Sequence, residues 1–258
     1  MLNKTDTTTQ ISSSTSSQVT NNENPIDLEK KPKPKVPSVQ YYVKFTFMLA
    51  YILFLTTGTI TFIEALRAEN PLVRHIFNLE TCISIVAGYF YSIFTGQIDE
   101  VSKKNIEIDW GEITKTRYID WSITTPLMLI VLCLVLGSHT NRPLKIETIT
   151  AIVVLNYLML YIGYLGEVEK LNRVTAMIGG FLPFIVMFGL IFIYFVKPKY
   201  VFSNYVLYGI FVIVWALYGV VYMFGEEYKN ICMNILDTIA KCLVGLGLWA
   251  YYTKVIQF

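Results

Sequence analysis

Seven apolar runs divide this chain, at residues 41–66, 72–97, 116–137, 146–166, 171–196, 201–224 and 229–252. Each is close to the roughly 20 residues a helix needs to cross a bilayer. In hydrocarbon a segment must satisfy its own backbone N–H and C=O groups, so such runs are read as helices. With 54% hydrophobic residues and a mean hydropathy of +0.49, a soluble core protein is excluded. The predicted fold class is an all-α membrane protein, a seven-transmembrane-helix bundle over residues 40–258. Asn70–Pro71, Asn141–Arg142–Pro143 and Lys197–Pro198–Lys199 mark short breaks between runs, which makes successive helices antiparallel neighbours. Only the connection at 98–115 is longer, and its alternation Ile106–Glu107–Ile108–Asp109–Trp110 predicts a small hairpin.

Residues 1–39 differ in kind. They are rich in Thr, Ser and Asn and carry almost no apolar anchor, so a disordered tail without a signal-peptide core is expected. Asn3–Lys4–Thr5 fits a glycosylation acceptor, but in so Thr-rich a segment chance accounts for it. The lysines between 30 and 35 read as a solvated linker at least as well as a headgroup contact. A count of basic residues alone places the tail inside the membrane-bound compartment, and the acids that offset them carry little weight in that rule.

The charges inside the runs say more. Lys241 sits in the middle of the last run, four residues after Asp237, so the two share a helical face. A lysine in a membrane helix costs several kcal/mol, so it is kept for a partner or a function. A buried structural ion pair is the plain reading from this helix alone. The third run adds Arg117, Asp120 and Thr124, which share one face at spacings of three and four. A base, an acid and a hydroxyl facing a bundle interior suggest that a cation is held there, and Lys241 is the candidate. One carboxylate at about 4 Å is worth about 4 kcal/mol at an effective dielectric near 20, enough to keep a buried amine charged. Arg117 then holds the two acids ionised. The four cysteines have no metal-ligand spacing, and His75 and His139 lack a partner cluster. No nucleotide loop, catalytic triad or nucleic-acid surface is present, so neither an enzyme nor a nucleic-acid binder is expected.

Arg117–Tyr118–Ile119–Asp120–Trp121, then Thr124–Thr125–Pro126, with Asp237 and Lys241 on the last helix, resemble the microbial (type 1) rhodopsins across all seven helices. The resemblance implies all-trans-retinal attached to Lys241 as a protonated Schiff base. Asp120 and Asp237 are then the counterions, and Arg117 and Thr124 support them. It also implies a retinal pocket walled by Trp121 and by Trp215, Tyr218 and Tyr222, with Gly163 leaving room for the ring. Gly219 stands where many relatives have a proline. The family's tail is extracellular, and that orientation is adopted against the basic-residue count.

In outward proton pumps of this family a second carboxyl stands eleven residues after the first on the third helix. Here that position is Val131, which carries no proton. Glu227 matches one member of a proton-release pair, and Lys229 stands where the other is expected. The second helix, reading NLETCISIVAGYFYSIF, supplies Asn78, Glu80 and Ser84, with Glu64 late in the first helix. Asn156 and Asn234 add further polar positions. Acids and amides facing a bundle interior are the ingredients of a cation path. The Asp–Thr–Val pattern with this second helix resembles the first group of giant-virus-encoded rhodopsins, which implies a light-gated cation channel for monovalent cations or protons. Constrictions around Arg117, Glu80 and Asn234 are expected to rearrange in light. The alternatives are an outward proton pump and a photosensor. The location implied is a plasma or other host-cell membrane. Gly179, Gly180, Gly245 and Gly247 permit close helix contacts and leave a homo-oligomer open.

Overall fold

The computed structural model describes residues 38–104 and 106–255. Residues 1–37 of the expected tail, with its acceptor sequence and its lysine run, lie outside them, while its last two, Ser38 and Val39, open the first helix. Seven membrane-length helices run through the described residues: α1 (Ser38–Arg67), α2 (Pro71–Lys104), α3 (Trp110–Thr140), α4 (Ile146–Glu167), α5 (Arg173–Val196), α6 (Phe202–Val221) and α7 (Glu226–Tyr252). All seven predicted spans are present.

Local chemistry sets the ends. Pro71 opens α2 where its missing N–H costs nothing, and Asn70 Oδ1 accepts from Leu72 N at 2.9 Å. Asn172 caps α5 through Val174 N, and Asn141 closes α3 in the left-handed region at φ 51°. The predicted hairpin is a correction. Helix α2 runs on to Lys104, and α3 starts at Trp110, with no strand among the described residues between them. Asp109 Oδ1 accepts from Glu112 N at 3.0 Å, so Asp–Trp–Gly–Glu is the start of a capped helix, which outcompetes the weak alternation before it.

The interior has two apolar clusters. One joins α3, α5, α6 and α7 through Leu132, Phe188, Trp215 and Leu236; the other joins α1 and α2 through Phe47, Phe54, Tyr91 and Phe94. Outward faces are apolar as well, with Ile178, Leu182, Ile185 and Ile213 exposed, as a lipid-facing surface requires. Between the clusters lie the buried charges. Two π-helical turns interrupt the bundle, at Phe192–Val196 in α5 and at Thr238–Leu243 in α7. Such turns are frequent at functional sites, and the second contains Lys241.

Candidate functional site

Lys241 is 2% exposed, and its Nζ donates to Asp120 Oδ2 at 2.8 Å. Asp237 Oδ2 is 3.8 Å away, and the face of Phe54 lies 5.6 Å from the amine. The expected pair at 237 and 241 is therefore the looser of the two contacts. The wide π turn between them offsets Lys241 from the i,i+4 register and turns it toward α3.

Asp237 is held by donors instead. Oδ1 accepts from the Tyr218 hydroxyl at 2.6 Å and from Trp121 Nε1 at 3.1 Å, and Oδ2 accepts from the Tyr91 hydroxyl at 2.7 Å. Arg117 Nη1 stands 3.4 Å from the same oxygen. Asp120 has less company: its Oδ1 is buried without a hydrogen-bond partner. The Thr124 hydroxyl donates to the Asp120 backbone carbonyl at 3.0 Å, so it props the helix beside the acid and leaves the carboxylate to Lys241. Tyr91 and Asn230 belong to this buried network through Asp237 and Arg117, and sequence reading missed both. Tyr91 sat in an aromatic stretch that reads as packing, and nothing local to α2 pointed to partners on α7.

A cavity opens from Lys241 and Asp237 between α3, α4, α5, α6 and α7. Trp121, Trp215, Tyr218, Tyr222 and Gly163 all line it, with Phe181 and Phe184 from α5. The hydrogen bonds from Trp121 and Tyr218 to Asp237 pin two of these rings, which meet edge to face at 5.4 Å. Tyr222 donates to the Gly163 carbonyl at 3.0 Å, and a Cβ on Gly163 would stand 2.9 Å from the Tyr118 hydroxyl. Gly163 thus clears space for Tyr118 as well as for the cavity. An apolar slot that ends at a buried amine with two carboxylates fits a long apolar aldehyde, and so fits retinal. A Cβ on Gly219 would lie 2.5 and 2.6 Å from two atoms of the Phe181 ring. Gly219→Ala is expected to push Phe181 into the slot at an overpacking cost of about 1–3 kcal/mol. Slower pigment regeneration on adding retinal and a lower bleaching temperature are the readouts; wild-type values for both would show that Phe181 has room to move elsewhere.

The remaining polar candidates separate into three places. Glu80 is 3% exposed and lies one turn past Lys241 toward the C-terminal end of α7, its Oε2 being 2.9 Å from where a Cβ on Gly245 would stand. Ser84 and Thr57 are buried nearby, both with hydroxyls lacking hydrogen-bond partners, and the Thr61 and Thr81 hydroxyls meet at 3.0 Å. Asn234 lies on the other side of Lys241, donating to Thr46 and accepting from Arg117. Asn78 is a correction: two residues before Glu80 on a helix, it points to the outer face and is exposed. Asn156 donates to Thr125 Oγ1 at 2.8 Å between α4 and α3, away from both polar groups. Glu64, at the end of α1, pairs with exposed Arg67 at 3.1 Å. Three of the four small residues are used inside the molecule: Gly180 lines the cavity, Gly179 sits against Ile162, and Gly245 against Glu80, whereas Gly247 is exposed with nothing packed against it.

At the N-terminal end, buried Lys229 bonds Glu167 and Glu226 at 2.8 Å each, and Arg173 bonds the same two acids at 3.2 and 3.0 Å. Glu226, not Glu227, is the acid that faces Lys229. Two cations and two anions compensate one another there.

The chain is similar to known proteins in sequence and in fold. The viral rhodopsin OLPVRII superposes with a TM-score of 0.76 at 42% identity, covering 83% of this chain and 99% of that one. A green-light absorbing proteorhodopsin from Gamma-proteobacterium EBAC31A08 is 28% identical over 167 residues, 58% of this chain. The match spans 66% of that relative's length, just under two thirds. The bacteriorhodopsin of Halobacterium salinarum is 23% identical over 209 residues, 74% of this chain and 76% of its own. Residues 29–255 match the family described as bacteriorhodopsin-like protein, a family that implies a retinal chromophore and not an enzyme. With its seven helices, its buried lysine and that match, this chain belongs to the microbial rhodopsins.

Proposed function

We propose that this chain is a light-gated cation channel with all-trans-retinal on Lys241, of the kind found in the first group of virus-encoded rhodopsins. The observation that carries this reading is a polar seam along α1, α2 and α7. On one side of Lys241 it holds Arg117, Tyr91, Asn234 and Thr46; on the other it holds Thr57, Ser84 and Glu80. Beyond Thr125 the route along α3 is apolar by contrast, with Val131 buried beside Leu132, Val135 and Leu136. The 42% identity with a viral rhodopsin supports the viral assignment. The N-terminal end of the bundle faces outside in this reading, in a plasma or other host-cell membrane.

When covalently attached to Lys241 Nζ, retinal supplies visible absorption and a double bond that isomerises in light. Trp121, Trp215, Tyr218, Tyr222 and Gly163, which line the cavity, would hold it and exclude water. Asp120 Oδ2 balances the charge on Nζ at 2.8 Å and is placed to take its proton. Asp237, held by Tyr91, Tyr218 and Trp121, keeps its charge in a fixed position. Loss of the charge on Nζ weakens the attraction that closes α7 against α3, and the seam beside it widens. The unpartnered hydroxyls of Thr57 and Ser84 and the carboxyl of Glu80 then supply oxygen ligands to a passing cation.

A second reading, an outward proton pump, is favoured by one observation. Asp120 and Glu80 lie on opposite sides of Lys241, one placed to accept a proton and the other to return it. Light-induced current against voltage, with sodium, potassium and proton gradients varied separately, separates the two. A current that reverses with the cation gradient supports the channel; an outward current at all voltages that follows protons alone supports the pump. Under the channel reading Glu80→Gln changes the permeability ratios and leaves the dark spectrum nearly unchanged, because Glu80 does not touch Lys241. Unaltered ratios would assign Glu80 to structure.

A further inference from the structure

Asn230 has no part in the reading above. Its Oδ1 accepts from Arg117 Nη2 at 3.0 Å, and Asn234 Oδ1 accepts from the same nitrogen at 2.8 Å. Both amides have their orientation fixed from behind. Asn230 Nδ2 donates to the Glu226 carbonyl at 2.9 Å, and Asn234 Nδ2 donates to Thr46 Oγ1 at 3.1 Å, which turns both oxygens toward the arginine. Arg117 Nη1 donates to the Tyr91 hydroxyl at 3.2 Å, and its contact with Asp237 at 3.4 Å is longer than either amide bond. The rings of Phe47 and Phe94 lie 5.3 and 5.2 Å from the guanidinium carbon.

A guanidinium held mainly by a carboxylate moves when that carboxylate gains or loses charge. Beside the Asp237 contact, Arg117 has a set of partners whose charge does not change: two amides on Nη2 and the faces of Phe47 and Phe94. We propose that Asn230 is a positioning residue which, with Asn234, Phe47 and Phe94, anchors Arg117 throughout the light cycle. Its charge is then a fixed barrier in the N-terminal half of the seam and not an arm that swings between partners. This departs from the expectation that the constriction at Arg117 rearranges. Only the transport consequence rests on the channel reading: a fixed positive charge repels a divalent cation twice as strongly as a monovalent one, so the anchor selects monovalent cations.

The test uses the full chain reconstituted with retinal. Nitrogen-15 solid-state NMR of the Arg117 guanidinium, assigned by its loss in Arg117→Lys, is recorded in the dark and under illumination. The wild-type resonance should stay in place. In Asn230→Leu, which removes the acceptor at similar volume, the resonance should shift with light. The dark absorption band should also move to longer wavelength as Arg117 closes on Asp237 and offsets its charge. Asn230→Gln, which keeps a non-titrating amide acceptor on the same face, should hold the resonance still again. In cells, Asn230→Leu should raise calcium permeability relative to sodium. A wild-type resonance that moves with light, or an Asn230→Leu protein with the wild-type resonance and band, overturns the anchor. If Asn230→Leu yields no pigment, the light and dark comparison on the wild type decides alone. If the wild type carries no passive current, the channel reading fails while the NMR and absorption results still judge the anchor.

Discussion

Replacing Lys241 by Ala is expected to abolish visible absorbance altogether, the largest effect any single substitution should have here. Lys241 is the amine that reaches the aromatic cavity, so no other residue lining it can take over a covalent bond to an aldehyde. The loss is not of colour alone. Removing one partner of a buried ion pair leaves an uncompensated charge and costs about 3–5 kcal/mol. In Lys241→Ala, Asp120 loses the one ionic contact it has among the described residues, and no side-chain donor takes its place. Two measurements separate the effects. The absorption spectrum after adding retinal reports attachment, and the thermal unfolding of the retinal-free protein, compared with retinal-free wild type, reports the pair. Asp120→Asn in the same background should recover part of the stability and none of the colour. A retinal band in Lys241→Ala would sink the attachment assignment.

The bundle and its centre were legible in the sequence for different reasons. Spans are read from length and hydropathy, which depend on the bilayer and not on tertiary contacts, so all seven appear in place. Their ends depend on capping, which hydropathy does not see. Helix α2 therefore runs seven residues beyond the apolar stretch that ended at Gln97, and α3 begins at Trp110, where the Asp109 cap and not a change of polarity starts the helix. Lys241, Asp120 and Arg117 were legible because a charge in hydrocarbon needs a reason. Which acid Lys241 chooses was not. The i,i+4 spacing favoured Asp237, and the π turn at Thr238–Leu243, which no residue type announces, turned the amine toward Asp120. Tyr91 and Asn230 were invisible because their roles lie across helices: the Tyr91 hydroxyl reaches Asp237, 146 residues along the chain. Asn78 misled because nearness in sequence to Glu80 is not nearness on a helix, where two residues apart means nearly opposite faces.

Asp120→Asn is expected to move the absorption band to longer wavelength and to remove its shift on acidification, and Asp237→Asn to move it much less. The two acids are equally buried and both lie near Lys241, so proximity alone does not rank them. Their partners do. Asp237 distributes its charge over the Tyr91, Tyr218 and Trp121 donors and the Arg117 guanidinium, so much of its field is already answered before it reaches Lys241. Asp120 has one oxygen on Lys241 at 2.8 Å and the other unpartnered, so its field falls on the amine nearly whole. A negative charge at that nitrogen stabilises the ground state, in which positive charge sits there, more than the excited state, in which it has moved along the polyene. Taking the charge away narrows the gap. The cost in stability should run the other way: Asp237→Asn disturbs four donors arranged around a carboxylate, whereas Asp120→Asn disturbs one. Absorption spectra across an acid titration and bleaching temperatures of the two variants test both rankings. An unchanged band in Asp120→Asn, or a larger shift in Asp237→Asn, would transfer the counterion role to Asp237 and leave the 2.8 Å contact without a spectroscopic consequence.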